Sequence, residues 1–248
     1  MQAVLYVCHG SRIAKACEEA IAFVKRCQAN IDISIQETCF IELTEPDIAT
    51  GIDLCVHKGA TRIAVIPVLL LAAGHAKHDI PEEIKKAQQR YPHLDIILGE
   101  PFGVHEKMIQ IVTERIAEQS VSPDDDAMIL LVGRGSSDPD TRRDIATIAQ
   151  LLQEKTNVPR VDVCFLAAIR PSLQDGLREA SRSSYKNIFV VPYLLFTGVL
   201  MKTIETKLRS LSSSNKQWIL CNYLGYHPLL EEIVKEKVNR LLLVNKGV

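Results

Sequence analysis

The sequence predicts an α/β protein built from two similar domains, each a four-stranded parallel sheet flanked by helices. Three observations lead there: apolar, strand-like runs alternate with amphipathic helical stretches, glycine and proline punctuate the boundaries, and the second half of the chain repeats the first. In the first half, strand-like runs occupy residues 3–7, 33–41, 63–68 and 94–98, with helical stretches at about 13–27, 46–57 and 81–91 between them. Gly59 closes the second helix, Pro81 opens the third at its first turn and Pro92 stops it. The order β-α-β-α-β-α-β is that of a parallel sheet with helices on its faces. A further helix at about 104–119 leads into SVSPDDD (120–126), which reads as a linker, so the expected domains are 1–119 and 127–248.

The second half overlays the first at one offset. YVCHGSR (6–12) falls on LVGRGSS (131–137), CFIELTEP (39–46) on CFLAAIRP (164–171), and RIAVIPVLLLAAG (62–74) on NIFVVPYLLFTGV (187–199), all 125 residues apart. FGVH (102–105) then falls on LGYH (224–227) at an offset of 122. Four matches in order mark an internal duplication, with a period too long for a solenoid.

Composition narrows the function classes. In 248 residues, 47% of them hydrophobic, the chain can bury a sizeable core, and 29 basic against 30 acidic residues nearly cancel to a net charge of −1, which gives nothing to attract nucleic acid or a membrane surface. The longest apolar run, residues 63–73, contains Pro67 and is too short to span a bilayer, and the N-terminus lacks the pattern of a secretory signal, so a cytoplasmic protein is expected. The seven cysteines include no Cys-x-x-Cys pair, which argues against a structural zinc site and a thioredoxin-like motif; Cys8 reads as a small core residue.

The residues able to do chemistry gather at strand ends, where open parallel sheets bind their ligands. His9 follows the first strand, Glu42 the second, and His75 lies in the loop after the third, so one sheet edge would project all three. Two imidazoles and a carboxylate suit a divalent iron, cobalt, nickel or zinc ion. The duplication supplies an internal comparison: His9 falls on Arg134, Glu42 on Ala167 and His75 on Leu200, so the scaffold is repeated and the ligands are not. Gly10 and Ser11 shape the turn that presents His9. Asp79 reads as the N-cap of the helix opening at Pro81, and His78 as either a partner of the site or an exposed loop residue. His57, His93, His105 and His227 lie at helix ends or connections, where capping and solvation account for them. GRGSSDPD (133–140) has neither the dinucleotide fingerprint nor the phosphate-loop ending and reads as a strand-to-helix turn capped by Asp138 or Asp140. With Arg12, Lys77 and Lys202 near other strand ends, it can supply a basic rim for carboxylates.

The motifs YVCHGSR, FIELTEPDI, IPVLLLAAGHAKHDIPEEI, GRGSSDPD and VPYLLFTG, spread over residues 3–238, resemble those of the bacterial sirohydrochlorin ferrochelatases. These are relatives of the sirohydrochlorin cobaltochelatases, together the class II chelatases, and GHAKHDIP is the most specific of the matches. The resemblance implies two Rossmann-like (chelatase-like) domains around a cleft. It implies a lyase that inserts Fe2+, or Co2+ or Ni2+, into sirohydrochlorin with release of two protons, in siroheme or cobalamin biosynthesis. Carried over by motif, His9 and His75 handle the metal and Glu42 is their acidic partner. The eight carboxylates of the macrocycle would meet Ser11, Arg12, Lys77, Arg134, Ser136, Ser137 and Lys202. No permanently bound cofactor is expected, since the metal is a substrate; sirohydrochlorin and the ion are the expected partners of a monomer or homodimer. Some cobalt-directed members continue into a His-rich or Cys-containing tail, whereas this sequence stops at LLLVNKGV, which argues against a cobalt specialist and leaves cobalt turnover open. A metal or tetrapyrrole carrier without turnover is the competing reading, and a two-His-one-carboxylate oxygenase ranks below it.

Overall fold

The computed structural model describes residues 1–211, 215–225 and 227–243. Its first sheet contains β1 (Gln2–Cys8), β2 (Ile35–Phe40), β3 (Arg62–Pro67) and β4 (Asp95–Leu98), all parallel, in the order β2-β1-β3-β4. The second contains β5 (Ala127–Gly133), β6 (Arg160–Phe165), β7 (Asn187–Tyr193) and β8 (Gln217–Leu220), in the corresponding order β6-β5-β7-β8. The helices are α1 (Ala14–Ala29), α2 (Ile48–His57), α3 (Ile80–Arg90), α4 (Glu106–Ala117), α5 (Pro139–Thr156), α6 (Leu173–Arg182), α7 (Val199–Arg209) and α8 (Pro228–Leu243). The two four-stranded parallel sheets and the repeated order match the expected fold class.

The central strands explain the near-continuous apolar runs in the sequence. β1 and β5 are covered on both faces, and Ala3–Cys8 and Ala127–Gly133 are buried throughout. On one face of the first sheet, Leu5, Val7, Cys39, Ile63 and Val65 pack with Ile48 and Ile52 of α2 and with Ile80 and Ile84 of α3. Met128, Leu130, Val132, Cys164, Ile188 and Val190 build the same layer in the second sheet with Leu173 and Leu177 of α6. Close approach of helix to sheet is also repeated: a Cβ on Gly51 would lie 2.8 Å from Cys39 Cβ, and one on Gly176 2.7 Å from Cys164 Cβ. No described helix is long and apolar enough to cross a membrane.

The helices that follow β4 and β8 depart from the linear division expected at residues 120–126. Residues 104–227 form one compact unit, and residues 1–103 with the C-terminal segment from Pro228 form the other. α4 therefore packs against α5 and β7 in the second unit, where His227 Nε2 pairs with Glu114 Oε2 at 2.7 Å and Arg115 Nη2 donates to Leu224 O at 2.7 Å. α8 packs against α1 and β3 in the first, with Arg26 Nε on Glu231 Oε1 at 2.6 Å and Lys237 Nζ donating to Pro101 O at 2.9 Å. The physical reason is that an amphipathic helix is placed by the apolar face it covers, not by the nearest polar stretch in the chain. Residues 120–126 carry no helix or strand and lead into β5.

Caps fix the helix that starts beside each second-strand loop. The Asp47 carboxylate accepts from Thr50 N at 2.8 Å at the start of α2, and Ser172 and Asp175 form a reciprocal capping box at the start of α6. These hydrogen bonds hold both carboxyls below their ordinary 3.8, so their stabilisation is present above about pH 4 and is lost as the pH falls through the depressed values. Asp47→Ala is expected to cost about 1 kcal/mol of stability at neutral pH and less at acid pH, read by urea unfolding at both.

Candidate metal centre

The site begins where β1 runs out. After Cys8 the chain turns through His9 and Gly10, and the β1–β2 pairing continues past both strands as Ile41 N donates to Cys8 O at 2.9 Å and Glu42 N to His9 O at 3.2 Å. Gly10 has φ +90°, and a Cβ there would fall 1.8 Å from Glu42 O. Only glycine lets the His9 turn lie directly on the Glu42 backbone. Ser11 and Thr44 lock the two loops further: Ser11 N donates to Thr44 Oγ1 and Thr44 Oγ1 to Ser11 O, each at 3.3 Å, with Cys17 Sγ also 3.3 Å from Thr44 Oγ1. The second unit repeats the glycine, with a Cβ on Gly135 placed 2.1 Å from Ala167 O, while Ile169 stands in place of Thr44 and Arg142 in place of Cys17.

These turns bring three predicted ligands together. One ligand atom from each of His9, Glu42 and His75 lies within 4.8 Å of the others. The His9 and His75 rings meet edge to face, centroids 4.7 Å apart at 89°, and His9 Nδ1 lies 3.7 Å from Glu42 Oε1 and 3.1 Å from Gly10 O. His9 Nε2 is buried, whereas the Glu42 side chain is 44% exposed. With bonds of about 2.0–2.2 Å, one ion reaches ligand atoms up to about 4.3 Å apart. Glu42 and His75 also border a cavity of about 420 Å³ that Asp47, Asp79, Glu82 and Glu83 line, a wall of carboxylates that raises the local concentration of cations. A cavity of about 460 Å³ beside α7 and β8 has Glu205, Lys216 and Trp218 in its wall, with neither His nor Cys among its described lining residues to hold a metal.

His75 is carried by a feature absent from the sequence reading. Residues His75–Asp79 form a π-helical turn, in which Ile80 N donates to His75 O, and α3 follows directly. Asp79 was expected to cap α3, but its backbone is already helical and its side chain makes no cap; its Oδ2 instead lies 2.6 Å from His75 Nδ1. The cause is local. Pro81 has no N–H for the carbonyl of Lys77 and its ring crowds that carbonyl, so the turn ahead of it widens and Asp79 comes back onto His75. The spacing His-x-x-x-Asp followed by Ile-Pro was the available signal. His78 is exposed on the same turn.

The remaining predicted residues occupy strand-end turns and helix starts. Ser11 Oγ accepts from Ile13 N at 3.1 Å, Arg12 is exposed just before α1, and Lys77 is exposed on the π-turn. Arg134 and Ser137 are exposed in the turn after β5, Ser136 Oγ accepts from Asp138 N at 3.1 Å, and Lys202 is exposed on α7. Asp138 caps α5 through Asp140 N, as expected. His105 caps α4, its Nδ1 accepting from Lys107 N at 3.1 Å. Burial pushes the Cys8 thiol up to about 12, which keeps it a neutral core residue beside His9.

Comparison with known proteins adds a family to this geometry. The CbiX family profile matches residues 3–119 and again residues 128–241. The chain belongs to the CbiX family. The two matches coincide with the internal duplication, so each half is one copy of the family's unit. Sirohydrochlorin ferrochelatase of Priestia megaterium is 54% identical over 247 residues, covering 100% of this chain and 92% of that protein. Sirohydrochlorin cobaltochelatase of the same organism is 38% identical, covering 96% of this chain and 79% of that protein. Among solved structures, SirB from Bacillus subtilis with Fe3+ superposes with a TM-score of 0.90 at 44% identity, covering 99% of this chain and 98% of that one.

Proposed function

We propose that this protein is a sirohydrochlorin ferrochelatase: it inserts Fe2+ into sirohydrochlorin, releases two protons and yields siroheme. The observation that carries the reading is the convergence of His9, Glu42 and His75 within 4.8 Å at one sheet edge, in a chain 54% identical over its full length to a protein of that name. Two neutral imidazoles and one carboxylate bind Fe2+ or Co2+ through borderline and hard donors and leave coordination positions open for pyrrole nitrogens. The metal is a substrate, so it must be held well enough to be partly dehydrated and loosely enough to leave. The exposed Glu42 suits that exchange. As the metal enters the ring, each of two pyrrole nitrogens loses a proton; an imidazole released from the metal, or the Glu42 carboxylate, is placed to take one.

For the macrocycle's carboxylates the unit that carries His9 and His75 offers Ser11, Arg12 and Lys77, and the other unit offers Arg134, with Ser136 and Ser137 in the same turn, and Lys202. Guanidinium groups favour carboxylates through paired N–H donors. Arg134→Ala is expected to raise the KM for sirohydrochlorin several-fold more than it lowers kcat, in steady-state assays at saturating metal. A cytoplasmic setting goes with this reading. Cobalt insertion by the same residues is its nearest variant, supported by the 38% identity to a cobaltochelatase.

Absorption spectroscopy under anaerobic conditions tests the proposal. With Fe2+ and sirohydrochlorin in large excess over protein, the macrocycle bands are expected to convert over many turnovers, faster than in the protein-free control. A change that stops at one equivalent per protein would make the chain a carrier, and no change with Fe2+ or Co2+ would remove both tetrapyrrole readings.

A further inference from the structure

The π-turn that carries His75 has no counterpart in the repeat, and the difference is confined to a few residues. α7 starts at Val199 and runs as a regular α-helix through Leu200 and Ile204, which stand in place of His75 and Asp79 at the offset of 125. Thr206 stands in place of Pro81, and its hydroxyl donates to Lys202 O at 2.8 Å, a carbonyl that a proline at 206 would crowd. The unit that holds the ligands thus has the proline, the widened turn and the carboxylate together, and the other unit has none of them. Asp79 does not cap α3, although it lies directly before that helix. Its side chain is half exposed and contributes little to any core.

We infer that Asp79 is a positioning residue for metal capture: through the 2.6 Å contact with His75 Nδ1 it fixes the ring as the Nδ1–H tautomer and leaves Nε2 as the ring's acceptor for the incoming ion. A carboxylate can only accept at Nδ1, so a neutral His75 must carry its proton there. Free neutral imidazole side chains have no such constraint, and metal-binding histidines commonly have the ring fixed by an outer carboxylate of this kind. The inference rests on the metal-handling reading of His9, Glu42 and His75, and adds a residue that the ion itself need not touch.

Two measurements without sirohydrochlorin test it. In 15N NMR at about pH 8, where imidazoles are ordinarily neutral, the His75 signals, identified by their loss in His75→Ala, are expected to show Nδ1 protonated in the wild-type protein and Nε2 protonated in Asp79→Ala. Asp79→Asn keeps an acceptor oxygen and is expected to retain the wild-type tautomer. Calorimetric titration with Co2+ should show affinity reduced about 10- to 100-fold in Asp79→Ala, with a smaller loss in Asp79→Asn. An Nε2–H tautomer in the wild-type protein, or Co2+ affinity in Asp79→Ala within twofold of wild type while His75→Ala loses it, overturns the inference and leaves the chelatase reading standing. Unchanged Co2+ affinity in His75→Ala would instead remove the metal centre on which both rest.

Discussion

Replacing His9 or His75 by alanine is expected to lower the rate of metal insertion at limiting metal by at least about a hundredfold, the scale on which a positioned proton acceptor acts, with little change in the urea midpoint. The two side chains follow strand ends and are 30% and 28% exposed, so neither fills the core that α2 and α3 make with the sheet. Their loss removes a donor from the three-member set, and no second such group of ligating side chains forms among the described residues. The effect on KM for the metal and on kcat should appear together, because in the proposed function the same nitrogens would hold the ion and take up the pyrrole protons. Wild-type rates in both variants would take the triad out of the mechanism.

Gly10→Ala is expected to be the most disruptive small substitution near the site. The backbone at Gly10 has φ +90°, and the added Cβ would sit 1.8 Å from Glu42 O, a contact that requires the two loops to part. Parting them breaks the bond from Glu42 N to His9 O and moves two of the three ligands relative to each other. Strain of this kind, added to the lost pairing, is expected to cost about 2–4 kcal/mol and most of the activity. Gly103→Ala is the matched control. Gly103 has φ +71° with only Pro101 O near its Cβ, at 3.8 Å, so it meets the left-handed penalty of about 1–2 kcal/mol without the collision. Equal unfolding midpoints for the two variants would show that the close approach at Glu42 carries no energy.

The strand runs and the gathering of His9, Glu42 and His75 at one sheet edge were legible in the sequence for a shared reason. In a parallel sheet a strand buried on both faces reads as an unbroken apolar run, and its end is where the polar residues begin, as at Val7-Cys8-His9. The duplication then separated scaffold from chemistry, because Gly10 and Gly135 are kept while His9 and Arg134 differ. Three features were not legible. The polar stretch 120–126 looked like a domain boundary, yet α4 packs with the unit that follows it and α8 returns to the unit of residues 1–103, and an apolar helix face does not name the surface it covers. Asp79 looked like a cap because Asp before a helix usually is one; the proline two residues on changed the turn geometry and turned its carboxylate toward His75. The lock formed by Thr44, Ser11 and Cys17 joins residues 27 and 33 positions apart and left no local pattern to read.

The most direct test of the site is to locate the metal. Crystals of the wild-type protein grown anaerobically with Co2+ and measured at the cobalt absorption edge are expected to show one strong anomalous peak within bonding distance of His9, Glu42 and His75, with Glu42 rotated toward it. Cobalt bound elsewhere, with the three side chains left in their metal-free positions, would contradict the assignment.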